Sequence, residues 1–157
     1  MRTLGTIMTI PLLIIFTWRI IAMVSFDIDC AGYIKRSADA NTVEMAKSQL
    51  EIVIKYCDNH YLTTGYCSIF LKQPCNDVGF WYNNIKNSYN ELCLISPTAT
   101  QLEKTNVLMK LRGRNRTTVT MPNGISIYPN NKLFFWLCLL FFAIAIGGMI
   151  IFIRDIE

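Results

Sequence analysis

Hydrophobic and polar positions follow three different rhythms along the chain. At the two ends they hardly alternate. Leu133 to Ile153 contains no charged residue, and Leu4 to Phe26 is apolar but for a few polar positions, with Pro11 and Arg19 the notable interruptions. A helix of about 20 apolar residues crosses a hydrocarbon core of about 30 Å, so both stretches are expected to be membrane-spanning helices. From Asn41 the apolar positions recur at three and four residues: Val43, Ala46, Leu50, Val53, Ile54 and Cys57. That spacing predicts a helix ending near His60, with Asn41 as its cap and Glu44 as the reciprocal acid. Met45, Ile52 and Tyr56 fall on its opposite side, where a partner could bind. In "NDVGFWYNNIKNSYNEL" the positions Val78, Trp81, Tyr82, Ile85, Tyr89, Leu92 and Cys93 share about a third of a helical circumference. Trp81 and Tyr82 are therefore expected in the core with their N–H and O–H at its polar edges. Phe80 points to the asparagine side as a candidate contact residue.

Thr100 and Glu103 form a further capping box, opening a helix over "KTNVLMKLR". After Gly113 the period becomes two. "RTTVTM" and "ISIY" flank Pro122-Asn123-Gly124, and Asn-Gly accepts the positive φ of a tight hairpin turn. Together these elements predict an α+β fold: a small, mainly helical domain with one β-hairpin, anchored by two transmembrane helices. The expected divisions are residues 1–26, an uncleaved signal anchor because no small-x-small cleavage site follows; 27–132, the helical domain; 133–153, the second span; and 154–157, a short tail.

Orientation rests on conflicting charges. Arg2 and the amino terminus precede the first span while Asp27 and Asp29 follow it, which favours an inside N-terminus and an exported domain. Lys110, Arg112, Arg114, Arg116 and Lys132 before the second span argue the other way. The exported reading is taken, because the first span usually sets orientation. The expected location is a cell membrane (inner, plasma or thylakoid), crossed more than once, with the middle domain outside the cytoplasm.

Composition adds little for a specific partner. The 157 residues carry a net charge of +4, too mild to point to a polyanion, and a nucleic-acid role is not expected. Lys110, Arg112, Arg114 and Arg116 form the densest basic run, a candidate contact to lipid head groups at about 1 kcal/mol per residue. Asn115-Arg116-Thr117 is a formal glycosylation sequon. Cys138 lies inside the second span. Cys30, Cys57, Cys67, Cys75 and Cys93 contain no C-x-x-C pair, and the single His60 is three residues from Cys57. No metal or other cofactor is expected. Disulfides suit an exported domain; an antiparallel pair of long helices would favour Cys57 with Cys67 or Cys75, and Cys30 with Cys93. No phosphate loop, nucleophile elbow or zinc-protease motif occurs, and no catalytic residue is assigned.

"ADANTVEMA", "LTTGY", "NDVGFWYNNIKNSYNEL", "TATQLEKTNVLMKLR" and "PNGISIYPNN" resemble a group of small, uncharacterised two-span membrane proteins common in cyanobacteria. The resemblance runs from about Ala38 to the second apolar stretch. It implies the same plan of two spans around a compact domain, with no assigned activity and no role for cysteines at 57, 67 and 75.

The function expected is non-enzymatic: an accessory or interaction module of a membrane complex. Its partners would be membrane lipid and another protein or a second copy, met through the spans. The alternatives are a small-molecule-sensing exported domain, against which the short tail "RDIE" counts, and a thiol-active membrane protein using a pair among Cys57, Cys67 and Cys75.

Overall fold

The computed structural model describes the backbone of residues 2–96, 98–117 and 121–154, and the side chains of 11, 13–96, 98–113 and 121–147. Among these residues are six α-helices: α1 (Arg2–Phe26), α2 (Gly32–Asp39), α3 (Val43–Asn59), α4 (Val78–Cys93), α5 (Gln101–Thr117) and α6 (Asn131–Arg154). A π-helical turn, Asp27–Ala31, joins α1 to α2 without a break, and single 3-10 turns lie at Pro74–Asn76 and Ile125–Ile127.

The centre is α3. Its apolar stripe, Val43, Ala46, Leu50, Val53 and Cys57, is buried as its spacing requires. The stripe packs against α2 and the π-helical turn on one side and α4 on the other, while α5 lies across α2. From α4 come Val78, Trp81, Tyr82, Ile85 and Leu92. Phe26 closes the core from the end of α1, its ring centroid 6.0 Å from Tyr56 and 6.5 Å from Trp81. Fully burying each such side chain contributes about 1.5–3 kcal/mol. Two serines are buried among them, and each returns its proton to its own helix: Ser37 Oγ to Ile34 O at 2.6 Å and Ser88 Oγ to Asn84 O at 2.9 Å.

The helix ends follow capping chemistry. Thr42, rather than Asn41, caps α3, because the extended backbone at Thr42 points its hydroxyl at Met45 N, 3.2 Å away. Asp77 accepts from Phe80 N at 2.9 Å at the start of α4. At α5 the capping box is reciprocal: Thr100 N donates to Glu103 Oε2 at 2.8 Å and Glu103 N to Thr100 Oγ1 at 3.3 Å. Cys93 is exposed rather than part of the α4 stripe, and Trp81 Nε1 is buried without a hydrogen-bond partner.

The expected β-hairpin is not formed. Gly124 has the positive φ, +82°, that Asn-Gly suggested. Beyond it, however, Ile125 N bonds Pro122 O at 3.1 Å, Ile127 N bonds Gly124 O at 3.3 Å and Tyr128 N bonds Ile125 O at 3.1 Å. Those amides are spent locally rather than in a ladder. Arg116 and Thr117 end α5, and 118–120 lie outside the described residues. The described residues contain no strand, only an isolated antiparallel bridge between Tyr66 and Asp77. The α+β assignment is corrected to a helical one.

The two transmembrane anchors, the multi-pass location and the membrane assignment built on them are corrected as well. Among the described residues no helix is long and apolar enough to cross a membrane. In α1, Arg19 is bonded to Ser126 and Phe26 is in the core, so its C-terminal end is tied to the helical body. In α6, Asn131 is bonded to that body. The argument for an exported middle domain loses its ground with the spans.

Gly65 shows how tightly the long connection between α3 and α4 is held. Its φ is +99°, and a Cβ there would fall on the Tyr128 hydroxyl, which donates to Thr64 O at 2.6 Å. Gly65→Ala should therefore lower stability by about 1–3 kcal/mol, and Tyr128→Phe alone by about 1 kcal/mol. Urea denaturation of both variants and the double variant should show costs that do not add, because removing the hydroxyl relieves part of the clash.

Candidate functional site

The largest departure from an ordinary protein surface is the pair formed by α1 and α6. The helices are in contact, with Trp18 and Phe134 ring centroids 6.0 Å apart. Each is fixed at its foot by a polar bond to a distant segment. Arg19 Nη1 donates to Ser126 Oγ at 2.8 Å, and Asn131 Nδ2 donates to Cys67 O at 2.6 Å. Phe70, from the connection after α3, packs edge-on against Phe135 of α6 at 5.1 Å. Away from these feet the pair turns apolar side chains outward: Leu13, Ile14 and Phe16 from α1, Leu139, Leu140 and Phe142 from α6, all 46–67 % exposed. Trp136 and Leu71 extend the surface toward the body. An extensive exposed apolar surface marks a site that something else covers.

Several clefts border the helical body among the described residues. One of about 440 Å³ lies between α1 and the end of α3, lined by Trp18, His60, Tyr61 and Tyr128. His60 is committed there: its ring stacks on Tyr56 at 4.0 Å and its Nδ1 lies 2.9 Å from Tyr56 O, a carbonyl that can only accept. A second, about 400 Å³, has Lys72 and Lys132 at its rim and Cys67 and Phe70 in its wall. A third, about 670 Å³, is an open groove between Lys35, Arg36 and Asp39 of α2 and Met45 and Gln49 of α3. No group of three or more His, Cys, Asp or Glu among the described residues could hold a metal ion.

The residues singled out by sequence are dispersed. Met45, Ile52 and Phe80 are exposed, as a contact surface requires. Tyr56 is instead half-buried between Phe26 and His60. In the basic run Lys110 pairs with Glu91 at 3.1 Å and Arg112 Nε donates to Ala38 O at 3.1 Å, tying α5 to α2. The side chains of Arg114 and Arg116, and of Asn115 in the sequon, lie outside the described residues. All six cysteines are free thiols. Cys30, on the π-helical turn, and Cys57, on α3, are both buried in the core. That the two apolar end helices would pack together was expected, from the small residues Ala143 and Gly147 of the second, but the Arg19–Ser126 bond was missed. Its only signal was an arginine inside an apolar stretch.

No protein-family model, curated protein or solved structure matches the chain. The functional reading therefore rests on geometry alone.

One ionisable contact ties α3 to α4. Tyr82 Oη donates to Asp58 Oδ1 at 2.7 Å. Burial and that carboxylate push the Tyr82 phenol from its ordinary value near 10 up to about 12. A folded-state pKa above the unfolded one gives stability that is complete below pH about 10 and is lost as pH rises through about 12. Thermal melts across this window should show the wild-type midpoint falling more steeply than that of Tyr82→Phe. At pH 7 the variant should be about 1 kcal/mol less stable.

Proposed function

We propose that the protein is a non-enzymatic interaction module that docks through the apolar surface of the α1–α6 pair against apolar helices of a partner protein. The observation that carries this reading is the outward apolar face itself, held in place by Arg19–Ser126, Asn131–Cys67 and Phe70–Phe135. A fixed apolar face gains binding energy on burial with little ordering cost, since its helices are already formed.

The non-enzymatic half is supported by where the ionisable side chains are spent. Asp58 accepts from Tyr82, Asp77 and Glu103 cap helices, and Glu51 and Glu91 pair with Lys55 and Lys110. His60 is stacked and bonded as described. These groups hold the fold, and none of them forms a base–nucleophile pair in a cleft.

The test is photocrosslinking in cells with a benzophenone amino acid at position 140. A discrete protein adduct is expected, and Phe142→Lys should reduce its yield about tenfold, the loss expected from one buried aromatic replaced by a charge. Adducts with lipid alone would overturn the reading. So would a protein adduct formed only when the probe is moved to position 80, which would transfer the interface to the surface of Met45, Ile52 and Phe80.

A further inference from the structure

The C-terminal end of α3 closes in a Schellman turn. Leu62 N–H donates to Cys57 O at 2.8 Å, and Tyr61 N–H donates to Asp58 O at 3.4 Å. This turn needs one residue in the left-handed conformation, and that residue is ordinarily glycine. Here it is Tyr61, at φ +57°. A bulky side chain at positive φ is an outlier that the rest of the structure must hold in place. Packing of the ring does little to offset it. Tyr61 is 76 % exposed, while its neighbour Leu62 makes the contact to the core.

The Tyr61 ring stands instead at the cleft of about 440 Å³ between α1 and the end of α3. That volume lies within the range of about 300–1,000 Å³ usual for small-molecule sites. Trp18 and Tyr128 add two aromatic walls, and Asn59 and Asn130 add two exposed amides. The Tyr128 hydroxyl is spent on Thr64 O, so this residue offers the cleft its ring. His60 donates from Nδ1 to Tyr56 O, which leaves Nε2 as the acceptor of the neutral imidazole.

Charge narrows the ligand class. No carboxylate, lysine or arginine lines the cleft. The Arg19 guanidinium is bonded to Ser126, which does line it. A positive charge held there disfavours a cationic ligand, despite the aromatic walls. An anion would find no lining cation to meet it. Rings that cover an apolar face, beside amides that both donate and accept, suit a neutral ring carrying several hydroxyls.

We propose that this cleft binds a neutral sugar. One face of the sugar ring lies against Tyr61 and Trp18, and its hydroxyls bond Asn59, Asn130 and His60. The backbone strain at Tyr61 is then the cost of presenting an aromatic ring where glycine would serve the fold better. This site does not depend on the outward face of the α1–α6 pair.

Saturation-transfer NMR on the full chain tests it. The probes are the methyl glycosides of glucose, galactose, mannose and N-acetylglucosamine and the corresponding trisaccharides. Transfer to the ring C–H protons of at least one sugar is expected. Tyr61→Gly should weaken that binding about tenfold, the loss of one stacking aromatic. The same variant should raise the Tm by about 2–4 °C, because glycine takes the left-handed turn without strain. The raised Tm shows that the variant is folded. Tyr61→Phe keeps the ring and should keep most of the affinity. Transfer to none of these sugars would overturn the proposal, as would transfer that Tyr61→Gly leaves undiminished. Transfer to phosphocholine or adenosine, added as cationic and nucleobase probes, and to no sugar would overturn it too.

Discussion

Desolvation of one face of α3 is the constraint from which the other contacts follow. Leu50, Val53 and Cys57 cannot be covered by α3 itself. Covering them takes α4 on one side and α2 with the π-helical turn on the other. Trp81 supplies the largest fully buried side chain and Phe26 closes the end. Because Phe26 is also the last residue of α1, filling this core directs where α1 leaves the body. Packing inside the domain and the presentation of its apolar helix pair are thus coupled through one aromatic ring.

Polar bonds then fix what packing alone leaves free. The long connection between α3 and α4 would be a loose excursion if Tyr128 did not close on Thr64 and Asn131 on Cys67. Those two bonds bring the residues before α6 against the connection, and Phe70 reaches α6 from there. Arg19 does the same for α1 through Ser126. Each bond joins segments more than sixty positions apart in the chain, so together they set the α1–α6 pair on its base.

The functional reading comes from the contrast between the two parts. In the helical body, acids and the histidine are engaged in caps, pairs and stacks. On the α1–α6 pair, leucines and aromatics face outward with no counterpart among the described residues. A covering partner would remove that unfavourable exposure, and the pre-formed helix pair would lose little entropy on binding.

Local pattern determined much of the body. The stripe from Val43 to Cys57, the placement of Trp81, Tyr82 and Ile85, the exposure of Phe80 and the Thr100–Glu103 box could be read because they depend on neighbours within one or two turns. Where reading failed, a distant contact had decided the outcome. Alternation around Asn123-Gly124 suited a hairpin, yet the amides of Ile125, Ile127 and Tyr128 bond back to Pro122, Gly124 and Ile125, and Ser126 is taken by Arg19 of a distant helix. Tyr56 lies off its helix's apolar stripe and is half-buried only because Phe26 arrives from another helix. The apolar end stretches are plain in sequence as helices. How they meet each other and the body depends on Arg19–Ser126 and Asn131–Cys67, bonds between residues that no local periodicity connects.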